Sequence, residues 1–159
     1  MASEIRTKDI AKASFTCSLA SLANGSARQS TMVDNSSNDR PAALVYLKIQ
    51  LGGDPTSDGQ INVYLLRGND ASSSDYRTDG AGASDAAITV GSAWCIGSIF
   101  VATAKTTNDY VYGDFDTGVV PGPLGPEWGI AIENKSGVSL GSTEGNHYKG
   151  YVYYVPESQ

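Results

Sequence analysis

Apolar and polar residues alternate with period two along most of this chain, and nowhere does an apolar stripe of helical period emerge. Over residues 45–51, Val45, Leu47, Ile49 and Leu51 fall on one side, with Leu44, Tyr46, Lys48 and Gln50 on the other. In the same way Ile61, Val63 and Leu65 oppose Asn62, Tyr64 and Leu66. Each run predicts a strand with one face made for a core and the other for water or a partner. The alternation starts at Ala13, where Ala13, Phe15, Cys17 and Leu19 oppose Ser14, Thr16, Ser18 and Ala20, a first strand. Asn24-Gly25 signals a turn, residues 30–34 a short strand, and Pro41 a stop.

The connection over residues 52–60, with Gly52-Gly53, Asp54-Pro55 and Asp58-Gly59, is compatible with a long-looped hairpin and with a crossing between sheets. Residues 94–102 are apolar on both faces, which predicts a central strand, with Gly97 marking a bulge or a close backbone approach. Residues 110–115, 128–133 and 148–155 supply further strands, and residues 87–90 a weak one. About eight strands separated by glycine-rich turns predict an all-β, antiparallel two-sheet β-sandwich, with a jelly roll as first choice. The sandwich is expected to be one domain over residues 13–159, behind an N-terminal arm at residues 1–12. Between residues 68 and 92 runs a tract rich in Gly, Ala, Ser and Asp, with Tyr76 its one aromatic. Loops of that length tend to be functional or to pack on a partner, so an interaction surface is expected there.

Composition narrows the function classes. The 159 residues suffice for a core that buries roughly 70% of the unfolded surface without metal or disulfide. With 11 Lys and Arg against 17 Asp and Glu the net charge is −6, which disfavours a nucleic-acid partner. No apolar run approaches the ~20 residues of a membrane span, and the polar start lacks the apolar run of a secretory signal. The chain is therefore expected to stay where it is made, and Cys17 and Cys95 to be buried free thiols.

No set of groups stands out for catalysis, and no catalytic, cofactor or metal residues are assigned. Asp116-Thr117-Gly118 resembles an aspartic-protease turn, but that chemistry needs two copies, and a strand-ending turn explains it. His147, the one histidine, is read as a solvent-facing turn residue with no nucleophile elbow to serve. Glu127, Glu133 and Glu144 carry no glycosidase spacing. Asp54, Asp58, Asp70, Asp75, Asp79, Asp114 and Asp116 lie near turns, where calcium would find oxygen ligands, yet turn formation accounts for most of them. Tyr46, Tyr64, Trp94, Trp128, Tyr148, Tyr151, Tyr153 and Tyr154 point to an interface more than to a sugar platform.

The run Ala27-Arg28-Gln29-Ser30 leading into Val33-Asp34-Asn35, with residues 42–50 and 61–66, resembles small β-sandwich proteins of tailed bacteriophages, the capsid decoration or cement proteins. The resemblance implies a non-enzymatic virion protein, made in the host bacterial cytoplasm, that binds the major capsid protein on the outer capsid surface, often as a homotrimer. Residues expected to touch the shell or a neighbouring copy are Ile5, Arg6, Lys8 and Ile10 of the arm and Tyr76 of the long tract. Arg28 and Gln29 are candidates too, with bonding to a loop backbone as their alternative role. A carbohydrate- or host-receptor-binding module on a phage tail, with or without calcium, is the competing expectation.

Overall fold

The computed structural model describes residues 12–37, 40–70 and 76–154. Of the expected arm only Lys12 falls within them; Ile5, Arg6, Lys8 and Ile10 lie outside the described residues. The strands are β1 (Ala13–Ser14), β2 (Ala27–Gln29), β3 (Val33–Asp34), β4 (Ala42–Gln50), β5 (Gly59–Gly68), β6 (Ala86–Ala87), β7 (Trp94–Val101), β8 (Tyr110–Asp116), β9 (Glu127–Lys135) and β10 (Tyr148–Tyr154). They form two antiparallel sheets, β1-β10-β4-β8 and β6-β2-β9-β5-β7, with β3 continuing the line of β2 along β9. The chain crosses between sheets from β4 to β5, so residues 52–60 are a crossover and not a hairpin. It crosses again between β7 and β8, β8 and β9, and β9 and β10. With β1 beside β10 and β2 and β3 beside β9, this nesting is that of a jelly roll.

The inner faces hold the core that the alternation predicts. Val45, Leu47, Ile49 and Leu51 meet Ile61, Val63, Leu65, Ile130 and Ile132, all buried. Each such side chain stabilises by about 1.5–3 kcal/mol on burial. At one end Phe15, Trp128, Tyr151 and Tyr153 pack edge-on or tilted at 4.7–5.9 Å, and the Trp128 indole donates to the Tyr153 hydroxyl at 3.0 Å. At the open side of the sandwich the Phe115 ring lies between two glycines. A Cβ on Gly97 or on Gly113 would come within 2.5 or 2.6 Å of it, so the close approach expected at Gly97 is to this ring.

Three expectations about strands are corrected. β7 is an edge strand, paired to β5 alone. Its pattern is apolar on both sides because Trp94 and Phe100 stand exposed, not because both faces are covered. The first strand keeps its alternating burial to Leu19, yet pairs with β10 only over Ala13–Ser14. One more bond to β10, from Phe15 N to the Lys149 carbonyl, follows, and then the chain leaves the sheet, with Thr16 O accepting from Thr31 N. Finally, the weak strand forms at Ala86–Ala87, where β2 offers a free edge, and not over residues 87–90.

Candidate functional site

The two outer faces of the sandwich are treated differently by the chain. Over the second sheet, residues 81–93 fold back as a roof. Ala81, Ile88, Val90 and Ala93 join Met32 in packing on Leu66, Ala131 and Tyr64, a second apolar cluster outside the main core. The outward side of β5, expected to face water or a partner, is thus partly covered: Leu66 is fully buried and Asn62 nearly so.

Polar bonds pin the roof in place. Gln29, 2% exposed, donates to the carbonyls of Gly82 and Ser84 at 2.7 Å and accepts from Gly82 N at 3.0 Å. Arg28 pairs with Asp85 at 2.5 Å, and Asp85 also accepts from Ser18 N and Oγ. Asp79 accepts from the backbone N–H groups of Gly91, Ser92 and Ala93. Arg77 grips Glu127 through two bonds of 2.7 and 2.8 Å. Gln29 therefore takes the loop-backbone role, and Arg28 spends its charge on a neighbouring loop. Tyr76, at the start of this segment, is 60% exposed.

Beyond the roof the same face carries a polar network. Glu133 accepts from Asn62 Nδ2 at 3.0 Å, the Tyr64 hydroxyl at 2.8 Å and Lys135 Nζ at 3.0 Å, while Ser98 Oγ donates to Asn62 at 2.7 Å. Burial pushes the Glu133 carboxyl up, but its hydrogen bonds outweigh that and hold it below its usual range. Burial, and then the bond to Glu133, push the Tyr64 phenol up to about 12. A depression of about 310 Å³ lies between Glu133, the Gly25–Ala27 turn and the roof at Ala87, Ile88, Thr89 and Val90. Exposed Phe100 lies one row along, since it pairs with Gln60 and Gln60 with Lys135.

The outer face of the first sheet bears no second apolar cluster among the described residues. Register places Tyr148, Lys48 and Tyr112 in one row across β10, β4 and β8, and Gly150, Tyr46 and Asp114 in the next. Tyr112 is 66% and Tyr148 45% exposed, and the Tyr148 ring lies over Gly150, where a side chain would displace it. Lys48 Nζ sits 4.2 Å from the centroid of the Tyr110 ring.

The candidates for chemistry are structural. His147 is buried, not solvent-facing: its ring lies 2.9 Å from the Gly141 carbonyl and accepts from Gln50 N at 3.3 Å. Those bonds tie the last loop to β4. Asp116 braces its own turn through Gly118 N at 2.7 Å and accepts from the Tyr154 hydroxyl at 2.5 Å. The three glutamates are not brought together. Glu127 and Glu133 sit at opposite ends of β9, bonded as above. Glu144 accepts from Leu19 N, Ala20 N and Lys149 Nζ.

Among the aspartates weighed for calcium, Asp54, Asp58, Asp79 and Asp116 each accept backbone N–H groups. No group of three or more acidic, histidine or cysteine side chains gathers among the described residues. Cys17 is buried, its thiol pushed up to about 12 by desolvation first and Asp85 second. Cys95, expected to be buried, is exposed, because β7 is an edge strand and register puts this residue on the outer face beside Tyr64. Sequence reasoning missed the roof; apolar Leu66 on the outward side of β5 and the pair Ile88 and Val90 in a polar tract were its only signals.

Comparison with protein-family models, with curated proteins and with solved structures found no match.

Proposed function

We propose that this chain is a non-enzymatic assembly protein of the decoration type, which adheres to the outer surface of a phage capsid through the outer face of its first sheet. The observation that carries the reading is the asymmetry of the two faces. One is roofed by the chain itself, while the other holds Tyr112 and Tyr148 exposed beside Tyr46 and Lys48. Tyrosines on a rigid sheet give large contact area at little cost in side-chain entropy, the composition of a protein interface core. Each contact can be weak, because a shell presents many copies of its site.

Purified particles from the source that encodes the chain are the test. The protein is expected in many copies by quantitative mass spectrometry. Recombinant chain should rebind particles stripped of it, whereas the double variant Tyr112→Ala, Tyr148→Ala should fold and fail to rebind. Absence from the particles, or undiminished binding by the double variant, overturns the reading.

A second reading, a carbohydrate- or receptor-binding module, is favoured by one observation: the Glu133, Asn62, Tyr64 and Lys135 network beside the exposed Phe100 ring. Polar groups fixed beside an open aromatic are suited to hydroxyls and a stacking sugar ring. Glycan-array binding lost in both Phe100→Ala and Glu133→Gln, with particle binding unaffected, would select it.

A further inference from the structure

β8 reads as its own complement. About Gly113 the order Tyr110, Val111, Tyr112, Gly113, Asp114, Phe115, Asp116 places a tyrosine on one side for every aspartate on the other. Reversing the strand about that glycine sets Tyr112 against Asp114, and Tyr110 against Asp116, in both directions. The odd members of the set, Val111 and Phe115, face the core.

This strand is also an open edge. β8 pairs with β4 in unbroken register from Leu44–Asp116 to Gln50–Tyr110, and among the described residues no main chain pairs with its other side. The edge of the facing sheet on the same side, β7, is interrupted by a bulge between its pairings at Val63 and Tyr64, a device that blunts pairing. β8 has no such break and no proline or lysine within it. Lys105 Nζ does reach the Tyr110 carbonyl at 3.4 Å, so the ladder available for pairing centres on residues 111–115.

We infer that β8 pairs antiparallel with β8 of a second copy, about a twofold axis at Gly113, joining two four-stranded sheets into one of eight strands. Across the axis each Tyr112 side chain lies opposite Asp114 of the partner on the outer face, and the two Gly113 residues meet on the axis itself. Both residues are exposed, Tyr112 strongly so, and among the described residues neither is held by a bond that pairing would have to break. Opposed phenol and carboxylate groups supply the complementarity that lets two copies of net charge −6 approach. The tyrosine faces of the two copies become continuous, but the pairing does not depend on what those faces bind.

Sedimentation velocity of the wild-type chain at high micromolar concentration should give twice the 16.6 kDa chain mass. Tyr112→Glu sets a second carboxylate against Asp114 and should weaken self-association by at least about tenfold. Tyr112→Lys sets an ammonium there and should keep or tighten the dimer. Thermal melts of both variants establish that they fold, since Tyr112 is a surface residue. A monomeric wild type, a mass three times that of the chain, or equal loss in the Glu and Lys variants would overturn the inference.

Discussion

At the residue scale the fold rests on a few positions where space or protonation leaves no choice. Gly97 and Gly113 exist to admit Phe115: a methyl group on Gly97 would stand 2.5 Å from its ring. Gly97→Ala should cost about 1–3 kcal/mol of stability by overpacking, read as a lower denaturant midpoint at unchanged slope. His147 makes the second case. Burial lowers its pKa from 6.5, against the opposing pull of the Gly141 carbonyl and Glu144, while Lys149 adds to the lowering. The unfolded chain therefore takes up a proton that the folded chain refuses, so stability falls as pH drops below about 6.5 and levels off below the folded pKa. Acid-side stability of His147→Gln should be flatter through that window, as chemical denaturation at stepped pH would record. Only part of this could be read from sequence. Gly97 signals a close approach by interrupting a strand, but the ring it admits lies eighteen positions further on, and His147 reads as a surface residue because its neighbours Gly145 and Asn146 are turn formers.

At the scale of elements, the roof shows why alternation alone does not reveal which faces are free. Period two states that a strand has two sides; it does not state what lies over each. β4 and β5 alternate with equal clarity, yet the outer side of β5 is packed by Ile88, Val90 and Met32 and that of β4 is not. The roof residues lie in a tract whose composition reads as loop, and its bonds run to β2 over more than fifty positions. β7 reads as central for a related reason: apolar residues on both sides of a strand mean burial only if something is there to bury them. Gln29 holds the roof with three bonds from a buried site. Gln29→Ala strands the backbone groups of Gly82 and Ser84, and should cost roughly 2–3 kcal/mol. Amide exchange at Ile88, whose N–H donates to the Ala27 carbonyl, should accelerate ahead of the β5 and β9 amides, because the roof can lift while the sandwich stays closed. Uniform acceleration throughout would mean that the roof and sandwich unfold as one.

At the scale of the whole molecule, charge and shape together set how such a protein can adhere. The chain is acidic overall, and Lys48 is the one cation in the tyrosine rows of the first sheet. Under the proposed capsid reading, attachment through Tyr46, Tyr112 and Tyr148 would be driven by aromatic burial, with the chain's own acidity giving no long-range attraction to an acidic shell. Salt acts on only one of these two contributions. At physiological ionic strength charges are screened beyond about 8 Å, and further salt weakens repulsion between acidic surfaces while leaving apolar burial intact. Rebinding to stripped particles should therefore hold or strengthen between low and high sodium chloride, as cosedimentation across a salt series would measure. Docking through exposed cations would show the reverse slope. Calcium offers a separate control on the same assay. The loop aspartates Asp54, Asp58 and Asp79 are occupied as acceptors for backbone N–H groups. Since a ligand that binds only the folded state raises its melting temperature, chelation with EDTA should leave both the melting temperature and the rebinding unchanged. A marked fall in either would assign a metal to carboxylates that already tie one loop to another, and would move the attachment from the first sheet's face to the loops at its ends.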